Sequence, residues 1–199
     1  MITIGLTGCS GSGKSYIATL FERFGIPTIN ADRIVHTLYA GENPCTAKLA
    51  DHFGNGVLNP DYSVNRRTLA DMVFQDRSLL ALLNTIVHPF VLEEIDLLKE
   101  RADKDGATAV MIDAPQLFES GLDQKCDYVI AVLADEKTRV KRLMNRDGID
   151  ESSIKRRLSN QFSDAFFEEH AHFCIENSEG DDPLEQIVSI LRVIGLYHG

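Results

Sequence analysis

A β-branched apolar stretch, a glycine-rich loop and an amphipathic helix follow one another near the start of this sequence. That succession restricts the fold more than anything later in the chain. Ile2-Thr3-Ile4-Gly5-Leu6-Thr7 suits a buried strand. Gly8-Cys9-Ser10-Gly11-Ser12-Gly13-Lys14-Ser15 fits Gly-x-x-x-x-Gly-Lys-[Ser/Thr]. Ile17, Ala18, Leu20, Phe21 and Phe24 then fall at helical spacing up to Gly25, a residue suited to follow a helix. In such a loop successive backbone N–H groups surround a phosphate, and the helix behind adds its positive end. The pattern predicts nucleotide phosphate contacts at Gly8, Gly11, Ser12 and Gly13. It predicts Lys14 on the β- and γ-phosphates and the Ser15 hydroxyl on Mg²⁺.

Four more short apolar runs read as strands: Pro27–Asn30, Ala109–Asp113, Tyr128–Leu133 and Phe173–Ile175. Asp182-Pro183-Leu184-Glu185 combines an N-cap, Pro at the first helical position and Glu at the third, opening a last helix. Strands alternating with helices predict an α/β P-loop NTPase fold. This is a three-layer sandwich with a five-stranded parallel sheet and helices on both faces. Between the second and third strands lies too long a stretch for a simple crossover. Residues 31–106 are therefore read as an inserted helical subdomain that holds the acceptor. Within it, the apolar stripe Leu79–Val87 is expected to end at His88-Pro89 and to resume after the proline. Residues 137–170 are read as a helical lid, leaving 1–30, 107–136 and 171–199 as the nucleotide-binding core.

Charge narrows the ligand class. The net charge is −10, which argues against nucleic acid. From Lys137 to Arg157, however, eight Lys/Arg stand against three Asp/Glu, a local +5, so the remainder carries −15. A basic segment on an acidic chain suits a small polyanion. Arg139, Arg142 and Arg146 share one helix face by their spacing. A solvated face explains such a run elsewhere; beside a P-loop, arginines can cover the charge that spreads over a transferring phosphoryl group. Four scattered cysteines without a C-x-x-C pair favour reduced thiols. Cys9 is either a redox-sensitive thiol near positive dipoles or a small residue filling the loop. The loop begins at residue 8, leaving no room for a signal peptide ahead of it, and no run is expected to reach the ~18 apolar residues of a membrane span. A cytoplasmic protein is the expectation.

Two carboxylates follow strands. Asp32 stands in the first helical turn after the second strand, where ligands of open parallel sheets gather. Asp113 ends the third strand, either supporting Mg²⁺, directly or through water, or capping a turn.

These pieces together resemble the dephospho-CoA kinase family over nearly the whole chain. Asn30-Ala31-Asp32-Arg33-Ile34-Val35-His36 is similar to the family's Asp-Ala-Asp-x-Ile-x-His segment. Arg66, Leu69 and Phe74 match an Arg-x-x-Leu…Val-Phe element, and Ile86-Val87-His88-Pro89 matches Ile-x-His-Pro. Pro115-Gln116-Leu117-Phe118-Glu119 is similar to Pro-Leu-Leu-Phe-Glu, and Arg142-Leu143-x-x-Arg146-Asp147 to the lid signature. Arg157-x-x-x-Gln161 and Ile175-x-Asn177 follow in order. There are departures: Asn30 replaces an Asp, Cys9-Ser10 replaces Gly-Ile, Tyr16 replaces Thr, Gln116 replaces Leu and Arg139 replaces Gln. Tyr16 would still contribute its backbone N–H.

The resemblance implies transfer of the ATP γ-phosphate to the ribose 3′-hydroxyl of dephospho-CoA, with Mg²⁺. Asp32 would orient and deprotonate the hydroxyl and sit near the metal with Ser15. Lys14 would neutralise phosphate charge, Arg142 and Arg146 would cover the transferring group, and Asn177 would lie on the ATP side. Arg66, His88, Pro115 and Leu117 would meet the acceptor. For His88 a cap on a helix broken by Pro89 stands as the alternative, and His36 reads as structural before catalytic. No nucleic acid, membrane or obligate protein partner is implied. A kinase of another small acceptor shares the loop, Asp32 and the lid. A GTP-dependent switch would carry an Asn-Lys-x-Asp-type motif, and the chain has no Asn-Lys dipeptide.

Overall fold

Alternation along the strands builds the nucleotide-binding half. The computed structural model describes residues 1–74 and 76–197. Five strands are assigned: β1 (Ile2–Gly8), β2 (Thr28–Asn30), β3 (Ala109–Asp113), β4 (Tyr128–Leu133) and β5 (Phe173–Glu176). They form a sheet of order β2-β3-β1-β4-β5. β1 pairs in parallel with both β3 and β4, and β4 with β5. β1 is thus the central strand, and the loop that leaves it stands where the chain's crossings switch direction.

Successive side chains point to opposite faces. Ile130 and Val132 of β4 join Ile4 and Leu6 of β1 on one face, against helix α1 (Lys14–Glu22). That face is completed by the last helix, Pro183–Val193, through Ile187, Ile190 and Leu191. Ala131 and Leu133 face the other way and pack with Cys9 and Phe167. Both faces are covered, which is why the strands read as continuous apolar runs rather than alternating ones.

Contacts divide the chain into two compact units, residues 1–29 with 102–199, and residues 30–101. The second unit is helical: α2 (Ala31–Leu38), α3 (Pro44–Phe53), α4 (Arg66–Val73) and α5 (Arg77–Lys104). Asn30 caps α2 by accepting a hydrogen bond from the Arg33 N–H at 2.8 Å. A neutral amide oxygen serves that purpose as well as a carboxylate does.

α5 corrects two expectations. It does not end at His88-Pro89 but runs through the proline to Lys104. An interior proline removes one helical hydrogen bond and costs about 3 kcal/mol. Burial of Ile86 and Val87 before it and Val91 and Ile95 after it offsets that cost. His88 therefore caps no broken helix. The stretch Ser78–Lys104 is also long and apolar enough to cross a membrane by length and composition, contrary to the expectation that no run reaches that size. Its four buried residues, Ile86, Val87, Val91 and Ile95, share one half of the helix surface.

Three further α-helices complete the order in the first unit before β5. α6 is Glu136–Asp147 and α7 is Glu151–Leu158; α8 is Asp164–His170 and the last helix is α9.

Candidate active site

The site in the first unit is a loop held open from outside. Gly13, with φ +92, is the residue before α1, and no side chain caps that helix. A Cβ on Gly13 would collide with Asn177 Nδ2. Glycine is therefore required by both backbone conformation and space. Gly11, at φ +82, is crowded in the same way by the Arg139 carbonyl, 2.8 Å from where a Cβ would stand.

The Ser12 carbonyl accepts from Asn177 Nδ2 at 2.6 Å and from the Arg142 guanidinium at 3.0 Å. Arg142 also donates to the Gly11 carbonyl at 3.3 Å. In a trans peptide the C=O and the next N–H point in opposite directions. Pinning the Ser12 carbonyl thus turns the Gly13 N–H away from Arg142 and Asn177. With an uncapped helix start behind it, the loop presents donors and a positive dipole end to an anion.

The opposite shoulder of the loop is clasped by residues 161 and 162. Gln161 Oε1 accepts from the Ser10 N–H at 3.0 Å, and Gln161 Nε2 donates to Ser10 Oγ at 3.2 Å. Cys9 Sγ donates to the Phe162 carbonyl at 3.3 Å. Burial pushes the Cys9 thiol above its ordinary range, against the opposing pull of the Arg139 guanidinium. A buried thiol held protonated favours the packing role over a reactive one.

Lys14 pairs with Asp113 at the end of β3, both largely buried. Asp113 thus holds the loop lysine by charge. Among the described residues no cluster of three or more His, Cys, Asp or Glu forms a metal cage.

In the second unit, Arg66 donates to His36 Nε2 at 2.9 Å and lies over the Tyr39 ring, 5.6 Å from its centroid. His36 must present a lone pair at Nε2 to accept this bond, so its ring proton sits on Nδ1. Burial pushes the Tyr39 phenol up to about 12, so it remains neutral beside the guanidinium. His88 Nε2 is buried with no hydrogen-bond partner.

The dephospho-CoA kinase family model matches residues 2–182. The chain belongs to the dephospho-CoA kinase family. Curated dephospho-CoA kinases agree. That of Corynebacterium glutamicum is 36% identical over 178 residues, covering 89% of each chain. That of Lactobacillus johnsonii is 36% identical over 194 residues, covering 96% of this chain and 98% of its own. The crystal structure of TT1252 from Thermus thermophilus superposes with a TM-score of 0.81 at 29% identity, covering 100% of this chain and 98% of that one. A shikimate kinase from Acinetobacter baumannii shares the fold alone, with a TM-score of 0.53 at 15% identity. The protein is a kinase of the P-loop class that uses ATP.

Set in a dephospho-CoA kinase, the residues singled out by sequence divide into three groups. Gly8, Gly11, Ser12, Gly13, Lys14, Arg142 and Asn177 converge on the loop, and Ser15 and Tyr16 are exposed on the first turn of α1. Asp32, His36, Arg66 and His88 lie in the second unit, where only His36 and Arg66 are joined by a bond. Leu117 can meet an acceptor only through its backbone. It is fully buried, packed where a Cβ on Gly5 would stand, and its side chain has no surface to offer a ligand. Pro115 is exposed, and its carbonyl accepts from the Thr7 hydroxyl at 3.2 Å.

The shared arginine face also separates. Arg139 pairs with Asp164 at 3.2 Å and Arg142 reaches the loop. Arg146 points to Asp147 through two bonds, at 2.6 and 2.9 Å, with Arg157 on the same carboxylate. In this state Arg146 is committed to Asp147 rather than to the loop. Sequence reasoning missed Asp164 and gave Gln161 no task. The signal for Gln161 was present, since it stands at a motif position four residues after Arg157.

Proposed function

We propose that this kinase transfers the γ-phosphate of ATP to the ribose 3′-hydroxyl of dephospho-CoA, giving coenzyme A and ADP, the last step of CoA biosynthesis. The observation that carries the reading is the loop itself, a family-matched cradle whose carbonyls are pinned outward by Arg142 and Asn177. Mg²⁺ would arrive with ATP. The Ser15 hydroxyl and, through water, Asp113 are oxygen donors of the hard type it prefers, and a nucleotide-bound Mg²⁺ needs few protein ligands. When bound it neutralises phosphate charge. We further assign Asp32 as the group that orients the acceptor hydroxyl and takes its proton. It is exposed in the first turn of α2, immediately after β2. Phosphoryl transfer has a loose transition state, so positioning outweighs base strength and a carboxylate suffices. Lys14 holds β- and γ-phosphate oxygens, exchanging Asp113 for the nucleotide's charge.

Arg66, held by His36 and Tyr39, is proposed to bind an anionic part of the acceptor, with His88 and the exposed Pro115 as further contacts. Arg142 is proposed to shape the cradle in the free protein and to meet transferring charge in the complex. Arg142→Ala is expected to lower kcat about 100-fold, the effect of removing one preorganised donor. Steady-state kinetics at saturating ATP check this, and wild-type turnover would leave Arg142 only the structural task of holding the Gly11 and Ser12 carbonyls.

The site of phosphorylation tests the reaction. Phosphorus NMR of the product should show a new monoester on the ribose 3′-oxygen. Phosphate on any other position, or none, would overturn the assignment.

A further inference from the structure

Residues 162, 166 and 170 form an aromatic ladder on one side of α8. Phe162 stacks on Phe166 with centroids 3.9 Å apart and planes at 14°; Phe166 stacks on His170 at 4.1 Å and 15°. Phe118 meets Phe166 edge-on at 5.3 Å, and Phe167 meets Phe162 and Phe166 edge-on. These contacts fix the rings from below and from the side. The ladder's outer rung, Phe162, nevertheless stays 36% exposed.

Part of its placement is structural. Ser163 caps α8, so Phe162 precedes the cap and meets Phe167 four residues into the helix, the arrangement of a hydrophobic staple. Any branched aliphatic residue would make a staple. A staple explains neither a parallel ring stack nor the attachment of this residue to the phosphate loop. Its carbonyl accepts the Cys9 thiol proton, and its neighbour Gln161 clasps Ser10 by two bonds. The chain at residues 161 and 162 is thereby tied to the second and third residues of the phosphate cradle, and the Phe162 ring, stacked on Phe166, stays partly exposed beside it. Every nucleobase has a π-face, and aromatic side chains bind bases through it.

We propose that Phe162 is a stacking platform for the adenine of one of the two nucleotide substrates, a specificity-determining contact of the lid side of the site. The proposal rests on the assigned reaction in one respect: ATP and dephospho-CoA each bring an adenine. The shared chemistry is the purine ring, and titrating the two substrates separately distinguishes its source.

The chain contains no tryptophan, so Phe162→Trp places a sole indole reporter at this position. On titration with ATP and with dephospho-CoA separately, one of them is expected to quench the indole by a third or more. Inorganic tripolyphosphate, which has no base, should leave it unquenched. In parallel, Phe162→Leu keeps the staple and removes the stacking face. It is expected to raise KM for the same substrate about 10-fold, with kcat and the other KM within about twofold. Phe162→Tyr should restore the wild-type value. Absence of quenching by both substrates, with binding verified by calorimetry, would overturn the proposal, as would unchanged KM values in Phe162→Leu. A loss of kcat with both KM values unaffected would likewise assign Phe162 to the staple alone. Quenching is a binding readout, so it fails or succeeds independently of whether dephospho-CoA is turned over.

Discussion

Lys14→Ala is expected to lower kcat about 1,000-fold or more, at the upper end of what one electrostatic donor supplies in a preorganised site. The structure adds a second consequence. Asp113 is 2% exposed and pairs with Lys14. Withdrawing one partner from a buried ion pair costs about 3–5 kcal/mol, because the remaining charge keeps its desolvation penalty. Urea unfolding of Lys14→Ala should therefore show a clear loss of stability. Adding Asp113→Asn should recover most of that stability and none of the activity. This separates catalysis from folding, since the stabilised double variant remains inactive. Full turnover by either variant would remove Lys14 from the chemistry.

Asp32→Asn is expected to lower kcat about 1,000-fold, within the range for loss of a positioned proton acceptor. KM for ATP should stay within about twofold, because the assigned role concerns the acceptor alone. Asp32 is exposed at the start of α2, where Asn30 already provides the cap, so the fold should tolerate the amide. Steady-state kinetics in both substrates check the split. An unchanged kcat would move proton acceptance to another group.

The parts of this protein legible from sequence are those that local rules dictate. β3 and β4 fall where their apolar runs do, because strands covered on both faces leave no polar interruption. The Asp182 cap of α9 accepts from the Leu184 and Glu185 N–H groups, as its spacing requires. The phosphate loop is legible for the same reason: glycine positions, lysine and helix start are one local unit. What escaped depends on partners distant in sequence. Pro89 reads as a helix breaker until the apolar residues on both sides are seen to bury. Leu117 sits in a loop motif yet fills the space above Gly5. Spacing places Arg139, Arg142 and Arg146 on one face, but their carboxylate and carbonyl partners decide where each guanidinium points. The clasp of Gln161 on Ser10 spans 151 residues of chain, so the motif position marks Gln161 without naming its partner.

The measurement that tests the central claim most directly is coupled ADP release from Mg·ATP with dephospho-CoA, AMP, gluconate or no acceptor in parallel. Release with dephospho-CoA alone is the predicted result. Silence with dephospho-CoA and turnover on another acceptor would keep the P-loop kinase and contradict the assigned substrate.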